Sequence, residues 1–139
     1  MTRADLGPHN ASSHVDVDLV RPTFNGLTSA LYFLDIGRTE GAEISLDGAE
    51  RWARASFITL QSAEDAAGGP LEQTGFVVAA EELKTLHQLV KEAHSLILAG
   101  RVALCAELTA KAWRHAKVAK ECLEAADLIK AKGHAHVRH

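Results

Sequence analysis

Residues 105–122 of the 139-residue chain read CAELTAKAWRHAKVAKEC, and they predict one long helix. Small or apolar side chains recur there at alternating steps of three and four residues, which places them on one stripe of a helix. The predicted seam consists of Cys105, Leu108, Ala112, His115, Ala119 and Cys122, and it continues to Ala126 and Ile129. At a rise of 1.5 Å per residue the two thiols are about 25 Å apart, too far for an internal disulfide or a shared ion. We therefore expect both cysteines to be small packing residues.

The chain before residue 45 allows two interpretations. A helix over residues 26–36 is predicted by Leu27, Leu31 and Leu34 at helical spacing, with Gly37 at its end. A β-hairpin over residues 30–46 is the open alternative, because short apolar runs cannot be assigned by their period alone.

Residues 45–98 contain two more predicted helices. One covers residues 45–67, where Asp47 and Glu50 have the spacing of a capping box and Gly68 begins a stop signal. The other begins near Val78 and has a heptad seam of Leu83, Leu86, Val90, Ala93 and Ile97. Gly100 then precedes the last helix, either as a turn between antiparallel helices or as a bend in one continuous helix.

These elements predict an all-α protein, a four-helix bundle-like domain with a long C-terminal helical hairpin and a flexible N-terminal tail. The tail is predicted over residues 1–22, a single helical domain over 23–132, and a histidine-containing C-terminal tail over 133–139. A second chain often completes long seams of this kind, so we expect a homodimer.

The composition, 47% hydrophobic and 24% charged, is that of an ordinary globular domain. The longest apolar runs are far below the roughly 18 residues that suggest a membrane span. No apolar stretch follows Arg3 near the start, and two cysteines do not form a disulfide framework. These features predict a cytoplasmic protein with free thiols, and the many alanines favour a bacterial or phage origin.

Charge is distributed unevenly along the chain. Residues 1–100 contain 7 Lys and Arg against 14 Asp and Glu, whereas residues 101–139 contain 8 against 4. Two parts of one fold that attract each other explain this split, and nucleic-acid binding by the basic C-terminal helix is the alternative. Acidic residues lie among the lysines of that helix, which disfavours a phosphate-binding face.

The histidines suggest metal binding only weakly. His87 and His94 are about 10.5 Å apart in helical rise, too far to bind one ion together, and they are expected at the rim of a packed face. His115, on the seam, is expected to be a hydrogen-bonded interface residue. The terminal cluster of His134, His136 and His139 is interpreted as a solvated end, so no metal site and no cofactor are assigned.

Catalytic motifs are missing from the sequence, which has no phosphate-binding loop, nucleophile elbow, HExxH or Cys-x-x-Cys. We therefore predict a noncatalytic protein-binding or regulatory protein that acts through helix surfaces. The expected protein-binding residues are Trp113, Arg114, Lys117 and Lys120, because tryptophan and arginine often dominate interfaces. A small DNA- or RNA-associated regulator is the alternative, and a metal- or cofactor-binding bundle comes third.

Overall fold

The computed structural model describes residues 17–69 and 74–137, and the side chains it describes belong to residues 18–69 and 77–125. Four helices account for nearly all of these residues. They are α1 (Val17–Asp35), α2 (Thr39–Ala66), α3 (Thr74–Leu98) and α4 (Val102–Val137). The described ranges contain no strand, so the hairpin alternative over residues 30–46 is wrong and the all-α prediction is confirmed.

The helices form a bundle in which each packs on two others. The packed pairs are α1 with α2, α2 with α3, α3 with α4, and α4 with α1. Neighbouring helices run antiparallel: Ser56 of α2 contacts Leu19 near the start of α1, and His94 near the end of α3 contacts Glu50 of α2. The third and fourth helices make the predicted C-terminal hairpin.

A glycine residue in the left-handed conformation follows each of the first three helices. These are Gly37, Gly68 and Gly100, with φ values of 74°, 81° and 76°. At Gly100 the backbone N–H groups of Gly100 and Arg101 donate to the carbonyls of Ile97 and Leu96, the paired hydrogen bonds of a Schellman motif. Gly100 is therefore a turn, and the continuous bent helix is wrong.

Two predicted tail boundaries need correction. Residues 17–22 belong to α1 rather than to a flexible tail, because Val20 is fully buried and continues the helical apolar pattern toward Leu27. Pro22 is accommodated inside this helix. At the other end, α4 runs through residues 133–137, which were assigned to a C-terminal tail. Residues 1–16 and 138–139 lie outside the described residues.

Two helices also begin earlier than predicted. The second helix begins at Thr39, so Asp47 lies inside it and pairs with Arg51 at 3.3 Å instead of capping its start. The third begins at Thr74, four residues before Val78. Helical φ and ψ angles thus extend beyond the amphipathic pattern, and the pattern alone underestimates the helix lengths.

Large and small side chains face each other across the α3–α4 hairpin. The buried residues of α3 are mostly large: Leu83, Leu86, Leu89, Val90 and Ile97. Those of α4 are mostly small: Cys105, Thr109, Ala112, Ala116 and Ala119, followed by Leu123. Small residues let the α4 backbone approach its neighbours closely, and the leucines of α3 fill the remaining space. No helix in the described residues is long and apolar enough to cross a membrane.

We predict that Thr23→Val stabilises the protein. The Thr23 hydroxyl of α1 is buried without a hydrogen-bond partner among the described residues, and a buried unpaired hydroxyl costs free energy. Valine preserves the shape, so the free energy of unfolding should rise by about 1 kcal/mol in urea denaturation. Ser56→Ala is the control, because the Ser56 hydroxyl donates to the Leu19 carbonyl at 2.5 Å. That change should lower stability, and an equal loss in both variants would contradict the prediction.

Candidate protein-binding surfaces

The inner stripe of α4 is turned relative to the predicted seam. Cys105, Ala112 and Ala119 are buried as predicted, but Leu108, His115 and Cys122 are only partly buried. The positions that are buried in their place come one residue later: Thr109, Ala116 and Leu123. This rotation follows from the packing of α4 on both α3 and α1, because a helix with two neighbours buries a wider stripe than a two-helix seam.

Polar side chains at the edges of this packing join neighbouring helices. The His115 Nδ1 of α4 contacts the Glu82 carboxylate of α3, so His115 has the hydrogen-bonded interface role that its position on the seam suggests. The His94 Nδ1 of α3 lies 2.5 Å from the Glu50 carboxylate of α2. Each histidine is thus held by a carboxylate from the preceding helix.

His87 has a different environment. Its ring stacks on Phe57 of α2, with centroids 5.6 Å apart and an interplanar angle of 19°. Burial lowers the pKa of His87 below its usual 6.5, the Lys91 and Arg54 charges lower it further, and Glu50 opposes them.

The described residues contain no group of three or more His, Cys, Asp or Glu side chains that could hold a metal ion. His87, His94 and His115 have separate partners, Phe57, Glu50 and Glu82. The side chains of His134, His136 and His139 lie outside those that the structure describes.

The two thiols are weak nucleophiles in this fold. Burial raises the pKa of Cys105, whose sulfur lies 3.7 Å from the Thr109 hydroxyl. Burial also raises the pKa of Cys122, and the carboxylates of Glu82 and Glu121 raise it further. Since the thiolate is the reactive form, neither cysteine is prepared for nucleophilic chemistry.

Trp113 connects α4 to α1. Its ring lies 5.4 Å from that of Phe24, centroid to centroid and tilted by 31°, and its Nε1–H donates to the Thr28 hydroxyl at 3.0 Å. The Lys117 ammonium is 5.6 Å from the centre of the Trp113 ring. Lys120 is equally far from the Phe24 ring.

These contacts join Phe24, Trp113, Lys117 and Lys120. We call the surface formed by these four residues, together with the exposed Arg114 that follows Trp113 in the chain, the α1–α4 face. Lys120 also pairs with Glu124 at 3.3 Å, whereas the Arg114 side chain is exposed. Three of the four predicted binding residues, Trp113, Lys117 and Lys120, thus take part in ring contacts on this side of α4, together with Phe24, which sequence reasoning does not identify. A partner could contact only part of the Trp113 side chain, because its indole N–H is bonded to Thr28 and one part of its ring packs on Phe24.

A second exposed apolar surface was not predicted. On α2, Ile44 is 70% exposed and Trp52 is 54% exposed. They border an open groove of about 270 Å³ between α1 and α2, whose floor includes Gly26, Gly48 and Ala49. The available signal was the apolar stripe of Leu46, Ala49, Ala53, Phe57 and Leu60, whose steps of three and four residues leave out both Ile44 and Trp52.

Comparisons of the chain with protein-family models, curated proteins and solved structures found no match. The surfaces described above are therefore interpreted from their own chemistry.

His87 is expected to make stability depend on pH. Because its pKa is lowered in the folded state, the unfolded chain binds the proton more readily. The free energy of unfolding should therefore fall as the pH drops below about 6.5, and this group should have no effect well above that pH. Urea denaturation between pH 5 and 8 tests this: His87→Gln should lose less stability toward pH 5 than the wild type. A constant difference between the two proteins across this range would contradict the prediction.

Both thiols should react slowly in the native protein. At pH 8, an aromatic disulfide reagent should modify the fully buried Cys105 at least about tenfold more slowly than it does in the urea-unfolded chain, and Cys122 more slowly by a smaller factor, because burial limits access to the sulfur and raises both pKa values. The single variants Cys105→Ala and Cys122→Ala assign the two rates. A native thiol that reacts as fast as in the unfolded chain would mean that its site opens to solvent.

Proposed function

We propose that this chain is a noncatalytic protein-binding or regulatory protein, and that it binds its partner through the α1–α4 face. The observation that carries this proposal is the placement of two lysine ammonium groups over two aromatic rings from different helices. Cation–π contacts hold these charges in place before any partner arrives, so less side-chain entropy is lost on binding.

The chemistry of this face fits an acidic protein surface. Carboxylates of a partner could pair with Arg114 and the two lysines, while an apolar group covers the exposed edges of Phe24 and Trp113. Arginine and tryptophan are the residue types that most often contribute large binding energies. The proposal also includes self-association into a homodimer. A cytoplasmic location and a bacterial or phage origin stay predictions from composition.

The second candidate is a DNA- or RNA-associated regulator that uses the same cations. It is favoured by the positive balance of residues 101–139. It is disfavoured by the Lys120–Glu124 pair and by Glu121 nearby, because interspersed carboxylates repel phosphates. The third candidate, a metal- or cofactor-binding bundle, has no supporting observation among the described residues.

A photo-crosslinking experiment tests the proposal. A photoreactive residue at position 114 should capture one dominant protein from a lysate of the source cells. Capture should fall at least about tenfold in Lys117→Glu with Lys120→Glu, because two attractive contacts become repulsive. The control is Lys84→Glu with Lys91→Glu on α3, where both lysines are exposed and the change in charge is the same.

Equal capture by the two double variants would contradict binding through the α1–α4 face. If the captured material were instead nuclease-sensitive and released by high salt, the nucleic-acid candidate would replace the protein partner. Far-UV circular dichroism confirms that each variant keeps its helical content.

A further inference from the structure

The outer face of α2 has the pattern of a self-complementary interface. From it we infer that two copies of this chain pair through α2, antiparallel, about a two-fold axis beside Gly48. The inference rests on the self-association included in the proposed function and names the surface that would mediate it.

The apolar residues of this face are symmetric about Gly48. Ile44 precedes it by four residues and Trp52 follows it by four, and both are mostly exposed. In an antiparallel pair centred on Gly48, residue 44 of one copy lies opposite residue 52 of the other. Each tryptophan would then cover the isoleucine of its partner, and the interface would be isologous.

Gly48 itself allows close approach. A Cβ atom added there would meet no other atom within 4 Å, so the glycine is not needed for packing inside this chain. By contrast, Gly26 of α1 faces Ala49 so closely that its added Cβ would lie 3.1 Å from the Ala49 Cβ. A glycine in mid-helix is less favourable than alanine, and a helix crossing at Gly48 would offset that cost.

The charges of this face also match an antiparallel pair. Asp47 precedes Gly48 and Arg51 follows it, and both flank one edge of the face that carries Gly48. The antiparallel arrangement places Asp47 of one copy near Arg51 of the other, about two residues apart along the helix axis. Within one chain Arg51 Nε already lies 3.3 Å from Asp47, so the two copies would join two ion pairs into one network.

A parallel arrangement does not have this complementarity. It would place Asp47 level with Asp47 and Arg51 level with Arg51 of the two copies, without opposite charges opposite each other, and like charges so placed repel. The groove between α1 and α2 supports the same occupant, because it opens beside Ile44 and Trp52 and offers apolar surface to a side chain of the second copy.

Charge reversal tests the surface. The wild type should be a dimer in sedimentation equilibrium. Asp47→Arg should weaken the dimer at least about tenfold, and so should Arg51→Glu, because the contacts between residues 47 and 51 of the two copies become repulsive. An equimolar mixture of these two variants should restore a dimer. The control is Lys84→Glu with Lys91→Glu on α3, which should leave dimerisation unchanged.

Cysteine crosslinking tests the orientation. Gly48→Cys should form a disulfide-linked dimer in the full chain under mild oxidation, with the wild type and its two native thiols as the background. Ala55→Cys is the matched control, since Ala55 is exposed one heptad after Gly48 on the same face of α2. In an antiparallel pair the two copies of residue 55 are about 21 Å apart along the helix axis and should not crosslink. In a parallel pair they would face each other.

The outcomes distinguish failure of the homodimer itself from failure of the α2 surface as its interface. A wild-type chain that stays monomeric at high concentration overturns both the homodimer and this surface. A dimer that neither Asp47→Arg nor Arg51→Glu weakens overturns the α2 surface and leaves the homodimer to another face. Crosslinking of both cysteine variants overturns the antiparallel arrangement.

Discussion

The small side chains on the inner face of α4 are the constraint on which the rest of the bundle depends. With alanine, cysteine and threonine at the buried positions before Leu123, α4 contributes little volume to the core. Such a helix must lie close to its neighbours, and those neighbours must provide the volume. The leucines of α3 do so along one side. On the other side, Phe24 of α1 reaches across to Trp113.

This close packing moves the polar groups to the edges of the helix contacts. His115 lies one position before the buried Ala116, so it reaches the Glu82 carboxylate without being enclosed in the core. His94 follows the buried Ala93 and reaches Glu50 in the same way. A histidine–carboxylate contact between helices fixes which residues lie opposite each other, a role that alanine cannot fill because apolar contacts are weakly directional.

Helical periodicity was sufficient to predict an all-α bundle and most of the buried face of α3, whereas it left open whether Gly100 is a turn or a bend. It was not sufficient to orient α4. The steps Leu108, His115 and Cys122 fit a heptad as well as Thr109, Ala116 and Leu123 do, and the choice depends on where two neighbouring helices lie. Nothing local to residues 108–123 encodes that placement.

The exposed surfaces, too, could be predicted only in part from helical periodicity. That Trp113 lies off the buried seam could be inferred from its position, but its ring and indole N–H partners come from a helix about 85 residues away in sequence, which only the tertiary fold brings near. Trp52 shows the opposite case. A tryptophan beside an apolar stripe is more often packed than exposed, and its exposure here results from the small residues Gly26 and Gly48, which leave an open groove instead of a covering side chain.

The two surfaces are centred on α4 and α2, which are not packed neighbours, and α1 lies between them. Different residues of α1 contribute to each surface: Phe24 contacts Trp113 of α4, whereas Gly26 lines the groove beside α2. A dimer formed through α2 would leave both α1–α4 faces open and would present two cationic, aromatic sites on one particle. Two linked sites bind a repetitive or dimeric acidic partner far more tightly than one site, provided that the partner spans the distance between them. Dimerisation through one face would thus strengthen recognition through the other without any change in the contacts of either.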